Sequence, residues 1–216
     1  KMAVKKGALG RGLDALFNDN TVESGNAVEV PPRANDLEIS VELGVILKKF
    51  ANHLELNKAD DYILGYTPLV SITDSSFDDI LIEPTTMQEK GLPLVYGRWA
   101  DGFNTVMATP ANKKYSEIKN AEMTLSVEGI GTAKANVSEY ICDADQTMNF
   151  ITNYITMFPG DVMTLGHTGN RIVIPKDKVK DGMKISAEIK GVGKVELTLK
   201  KSEAQDTAVA VNQLKL

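Results

Sequence analysis

Residues 37–47 read LEISVELGVIL, and the pattern changes half-way along. Leu37, Ile39 and Val41 alternate with Glu38, Ser40 and Glu42, the period of two expected of a strand with one apolar and one polar face. From Leu43 the run is wholly apolar, as in a strand that passes into a region buried on both sides. On such a strand Glu38, Ser40 and Glu42 share a face at steps of about 6–7 Å. Outward from this strand, KADDYILGYTPLVSIT (58–73) suggests a short helix, a turn at Gly65 and a second strand. KNAEMTLSVEGIGTAKA (119–135) reads as a hairpin, with Met123, Leu125 and Val127 alternating and Gly129 at the turn. DADQTMNFITNYITMF (143–158) spaces Met148, Ile151, Ile155 and Phe158 along one helical face, and Pro159-Gly160 stops it. DVMTLG, RIVIP, MKISAEIKGVG and KVELTLK follow as four strands, the last two a hairpin tipped by Gly191 and Gly193. The expected architecture is a β-rich α+β domain over residues 36–200. Before it, residues 1–35 read as a basic amphipathic segment, with Leu9, Leu13, Leu16 and Phe17 at helical spacing, and a polar linker containing Gly25 and Pro31-Pro32. Residues 201–216 read as a polar C-terminal tail.

Composition narrows the function classes. The 216 residues carry 24 Lys and Arg against 29 Asp and Glu, a formal charge of −5, which argues against nucleic acid as a partner. A single cysteine, Cys142, excludes a disulfide framework and a cysteine-based zinc site, and reads as a buried apolar residue. Two histidines, His53 and His167, leave little for a histidine-rich metal centre. No apolar run approaches the roughly 18–20 residues that cross a bilayer, and no cleavable leader is evident. A cytoplasmic protein with no membrane partner is the expectation.

Five blocks, in order, carry a resemblance: SVELGVILKK (40–49), DDYILGYT (60–67), KGLPLVYGRWADGFN (90–104), TMNFITNYITMFPGDVMTLG (147–166) and KVKDGMKISAEIKGVGKVELTL (178–199). Together they resemble the catalytic-type C-terminal domain of the fumarylacetoacetate hydrolase family. The resemblance implies a rolled mixed β-sheet, assembly as a homodimer or pairing with an active paralogue, and Mg²⁺ or Mn²⁺ held by three carboxylates. Two of these lie in a Glu-x-Glu on one strand and the third is an Asp after the Gly-Tyr block. It further implies that the metal chelates a small 2-oxo or β-diketo acid and stabilises its enolate during hydrolysis, decarboxylation or isomerisation.

Carried over residue by residue, the pattern is incomplete. Glu-x-Glu becomes Ser40-Val41-Glu42, so Glu42 alone remains as a metal ligand, and the Asp position falls on Ser71. The ligand charge drops from −3 to −1, which weakens divalent binding steeply. The family's lysine position falls on Arg98, which stays protonated and grips a carboxylate rather than acting as a base. The resemblance places Arg98 and His167 as catalytic candidates, and Asp101, Gly102, Phe103, Gly166 and Thr168 as substrate-binding candidates. Asp101-Gly102-Phe103 reads equally as a tight turn with Phe103 buried. Glu38 is either a displaced ligand or a solvated carboxylate. Asp74, Asp78 and Asp79 form an acidic loop just past Ser71, and Trp99 covers a ligand or packs in a core or interface. KKGALGRGLDALF (5–17) is similar to the start of bacterial chromosome-partitioning protein B homologues, and no function is assigned to it.

Two functions follow. One is an enzyme acting on small 2-oxo or β-diketo acids as a hydrolase, decarboxylase or isomerase. The other is a catalytically silent homologue, serving as a structural or partner subunit or as a metal-independent carboxylate binder.

Overall fold

The longest apolar run becomes the axis of the molecule. In the computed structural model, which describes residues 21–32, 34–74, 96–98 and 100–203, LEISVELGVIL forms one eleven-residue strand with only Glu38 partly exposed. Residues 1–20, Asp78, Asp79, Trp99 and the chain beyond 203 lie outside the described residues.

In chain order the strands are β1 (Thr21–Glu23), β2 (Ala27–Val30), β3 (Leu37–Leu47), β4 (Ile63–Asp74), β5 (Asn104–Val106), β6 (Glu122–Val127) and β7 (Gly131–Asn136). After them come β8 (Val162–Thr164), β9 (Arg171–Ile174), β10 (Met183–Ile189) and β11 (Gly193–Lys201). Two short helices, α1 (Tyr115–Ile118) and α2 (Ala144–Thr152), interrupt them. One sheet runs β1-β5-β4-β3-β8, with β9 also on β3, and the other runs β2-β11-β10-β6-β7. β1 on β5 and β2 on β11 are parallel, while every other pairing is antiparallel, so both sheets are mixed. The sheets pack against each other through β3 and β4 on one side and β6, β10 and β11 on the other. The core between them includes Leu37, Ile39, Val41 and Leu43 facing Met123, Leu125, Ile185 and Leu197. This is the β-rich α+β fold expected from the sequence.

Several local expectations need correction. Residues 21–30, read as linker, are two strands joined by a turn at Gly25 (φ +95°). Their alternation accounts for it: Val28 and Val30 are buried while Ala27 and Glu29 are exposed. Gly65 lies inside β4 rather than at a turn. A Cβ there would stand 2.6 Å from the Ala111 carbonyl oxygen, and glycine admits the close bridge between Tyr66 and Ala111. The helix expected before it is a single 3₁₀ turn, Ala59–Asp61.

A further correction concerns α2, which ends at Thr152 rather than at Phe158. Asp143 caps its start by accepting from the Gln146 N–H, with the Gln146 side chain returning to the Asp143 N–H. At its end the Thr152 carbonyl accepts from His53 N–H, and the chain turns at Asn153 and Tyr154 before Met157 pairs with Ala51. The four residues assigned to one helical face therefore separate. Met148 is buried, whereas Ile155 and Phe158 are exposed. Cys142, expected inside, is exposed on the bend before the Asp143 cap.

Candidate functional site

Strand register brings together the positions singled out on β3 and β4. Ser40 and Ser71 are direct antiparallel partners, and Glu42 lies one same-face step further along, opposite Leu69. All three are buried, Glu42 completely. Cross-strand partners have Cβ atoms about 5 Å apart, so Ser40, Ser71 and Glu42 form one polar patch on the face opposite Ile39, Val41 and Leu43.

A gap in strand pairing shapes the other side of Glu42. β9 pairs β3 only as far as Ser40, and β8 resumes at Gly44. The intervening backbone of β3 is satisfied from elsewhere. The Val41 carbonyl accepts from the Asn170 side-chain amide at 3.3 Å, and the Leu43 carbonyl accepts from the Leu165 N–H. The Leu43 N–H donates to the Tyr140 hydroxyl at 2.9 Å. That hydroxyl donates in turn to the Gly166 carbonyl at 2.9 Å, and the Gly166 N–H donates to Thr164 Oγ1 at 3.0 Å. Burial, with a contribution from nearby Glu42, pushes the Tyr140 hydroxyl pKa above its ordinary value, so it remains a donor at neutral pH. Replacing Tyr140 with Phe leaves the Leu43 N–H and Gly166 carbonyl unpaired. The expected loss is about 2–3 kcal/mol of stability, read by urea unfolding.

Each oxygen of Glu42 accepts a hydrogen bond. Ser40 Oγ donates to Oε1 at 3.0 Å, and Thr164 Oγ1 donates to Oε2 in a short hydrogen bond. Glu38, the alternative ligand, is held away by a 2.8 Å ion pair with Arg171. Asp74 is buried at the end of β4 and accepts from the Asn35 N–H. Among the described residues no three His, Cys, Asp or Glu side chains stand together as a metal site. One carboxylate with both oxygens taken by hydroxyls, beside two serines, does not fit a divalent cation, which wants several anionic oxygens.

The remaining candidates are dispersed. Arg98 is exposed at the end of a 3₁₀ turn (Tyr96–Arg98) packed on β4. Asp101 is exposed on a turn, Gly102 adopts φ +79°, and Phe103 is buried in the core, 1% exposed, its carbonyl accepting from the Ile72 N–H at 2.8 Å. The geometry of this segment is that of a tight turn anchored by an aromatic ring. His167 is exposed, its Nδ1 accepting from the Gly169 N–H at 3.3 Å. With Tyr140, Cys142, Leu165 and Thr168 it lines an open hollow of about 520 Å³. Thr168 Oγ1 is buried there without a hydrogen-bond partner. Tyr140, Thr164 and Asn170 were not singled out in the sequence. Their roles come from contacts made across the chain, such as that between Tyr140 and Leu43, which no local pattern announces.

Residues 15–200 match the family profile described as fumarylacetoacetate (FAA) hydrolase C-terminal. The chain is 27% identical over 157 residues to a mitochondrial oxaloacetate decarboxylase of Dictyostelium discoideum, covering 72% of this chain and 69% of that protein. It is 25% identical over 180 residues to a mitochondrial oxaloacetate tautomerase of Arabidopsis thaliana, covering 83% and 76% respectively. Fumarylpyruvate hydrolase from Pseudomonas aeruginosa, solved in complex with Mn²⁺ and pyruvate, superposes with a TM-score of 0.69 at 17% identity, over 85% of this chain and 76% of that one. With a single profile running from ahead of β1 to the end of β11, this chain belongs to the fumarylacetoacetate hydrolase family.

Proposed function

We propose that this chain is a member of its family that works without a divalent metal, binding a small carboxylate or 2-oxo acid rather than performing metal-dependent carbon–carbon chemistry. The observation that carries the reading is the state of Glu42. It is the one carboxylate at a point where the other two positions are the neutral hydroxyls of Ser40 and Ser71, and its oxygens accept from Ser40 and Thr164. The hollow beside Tyr140 supports the binding part. The exposed imidazole of His167, on the wall of that hollow, offers a side-chain group to an anion. Relatives named for oxaloacetate make 2-oxo acids the first ligands to try.

Calorimetry tests both parts. Mn²⁺ and Mg²⁺ are expected to show no 1:1 binding below millimolar concentration, and oxalate or pyruvate to bind equally with and without EDTA. Oxaloacetate is expected to decarboxylate and tautomerise at the uncatalysed rate with either metal present. Micromolar 1:1 Mn²⁺ binding, or metal-dependent turnover of oxaloacetate, overturns the reading.

A further inference from the structure

Two chain segments meet at the tip of the β6–β7 hairpin and leave a hollow of about 590 Å³ between them. One is the hairpin turn, Glu128-Gly129-Ile130. The other is the approach to β10, from Lys178 to Met183. The sequence builds this second segment around Val179, which is buried while Lys178 and Lys180 on either side are exposed. Val179 is extended, so the two lysines leave the chain together, opposite their buried neighbour. Met183 is buried and Ile130 packs against the core, which gives the hollow an apolar part beside its charged one.

The acids and bases around the turn differ in what they are free to do. Both carboxylates of the hollow hold backbone: Glu128 Oε2 accepts from the Lys184 N–H at 3.1 Å, and Asp181 Oδ1 accepts from the Lys201 N–H at 2.5 Å. Asp177, just before Lys178, does not line the hollow. A second, more open hollow of about 620 Å³ shares the hairpin turn and adds Lys184, and there Glu196 is held by Lys194 at 2.6 Å. Among the described residues Lys178, Lys180 and Lys184 have no carboxylate within ion-pair distance. The carboxylates keep their charge but are fixed in place, whereas the ammonium groups, on long flexible stems, can converge on an anion.

We propose that the hollow between the hairpin turn and Lys178–Met183 binds a small organic phosphate, its phosphoryl group on Lys178 and Lys180 and its apolar body against Ile130 and Met183. The volume suits such a ligand, since small-molecule pockets span roughly 300–1,000 Å³ and combine apolar walls with a few polar groups. A phosphate monoester carries a charge of about −1.5 to −2 at neutral pH, which two ammonium groups match, whereas a carboxylate brings one charge. This hollow shares no residue with the one beside Tyr140, so its occupancy is independent of the carboxylate binding proposed there.

Amide NMR on the isotope-labelled full chain, titrated with 1-naphthyl phosphate, tests it. Saturable shifts are expected at Gly129, Ile130, Gly182 and Met183, with a dissociation constant of about 1 mM or tighter, the range open to a ligand of this size. Inorganic phosphate, 1-naphthoate and 1-naphthol lack the ring, the second charge and all charge respectively. Each should bind at least about 10-fold more weakly. Lys178→Gln combined with Lys180→Gln should weaken 1-naphthyl phosphate about 10-fold or more. Circular dichroism and the unfolding midpoint should stay near those of the parent, because both side chains are exposed. Lys190→Gln, an exposed lysine at the β10–β11 turn outside both hollows, is the control and should leave the affinity unchanged. A parent chain without saturable shifts overturns the proposal. So do shifts that follow exposed lysines over the whole surface, a double variant that binds like the parent, or an affinity matched by any of the three comparison compounds.

Discussion

Ser40→Glu combined with Ser71→Asp is expected to bind Mn²⁺ at least about 100-fold more tightly than the parent chain, in line with the steep dependence of divalent affinity on ligand charge. The argument rests on register. Ser40 faces Ser71 directly across β3 and β4, and Glu42 lies one same-face step along β3, so the two substitutions place three carboxylates around one point. The net charge of that point goes from −1 to −3, inside a part of the sheet where all three positions are buried. Without metal the three carboxylates repel one another, and the double variant should be less stable than the parent. Adding Mn²⁺ should reverse this, because a ligand that binds only the folded state stabilises it by mass action. The measurement is therefore a pair: calorimetric affinity, and the thermal midpoint with and without Mn²⁺. A variant that folds, yet neither binds Mn²⁺ nor gains stability from it, shows that the correspondence between Ser71 and the family's aspartate is wrong. Either single variant is expected to fall between parent and double variant in affinity.

Phe103→Ala is expected to be the most destabilising single truncation near the candidate site, costing about 3–5 kcal/mol. Phe103 is buried to 1% exposure in the core, and its backbone is fixed on both sides, its N–H on the Ala100 carbonyl and its carbonyl on the Ile72 N–H. The turn at Gly102 delivers the ring there, just before β5, which pairs with β1 on one side and β4 on the other. For a domain of this size the thermal midpoint should fall by roughly 10–15 °C. Phe103→Leu, which keeps most of the buried volume, should cost less than half as much. If Phe103 touched ligand instead, oxalate binding would change in both variants while stability barely moved. Urea unfolding and calorimetry on the same two proteins separate these outcomes.

The fold was readable because its longest elements are also its most regular. β6, β10 and β11 alternate, β3 does so over its first half before turning wholly apolar, and the glycines at positions 129, 191 and 193 mark hairpins with positive φ. What escaped was set by contacts that no window contains. Val28 and Val30 alternate too, but two alternating residues in a polar stretch carry little weight until β11 is known to lie beside them. The apolar spacing from Met148 to Phe158 fits a helix, yet a strand-like pairing with Ala51 claims its second half. At the site, the substitution of Ser40 and Ser71 was legible residue by residue. That Thr164 and Ser40 close both oxygens of Glu42, or that Tyr140 splices the gap in β3, depends on loops whose approach is decided by the whole sheet.

The two parallel pairings carry a consequence for how the chain is made. Thr21–Glu23 waits for Asn104–Val106, and Ala27–Val30 waits for Thr198–Lys201, in the last of the described strands. During translation the first strands therefore emerge long before anything exists to pair with them, and Val28 and Val30 stay open until the final hairpin is out. Long-range closures of this kind slow folding and prolong the exposure of unpaired strand edges. A ribosome-bound nascent chain stopped before residue 193 should hold its N-terminal strands protease-sensitive, and release of the complete chain should protect them in one step.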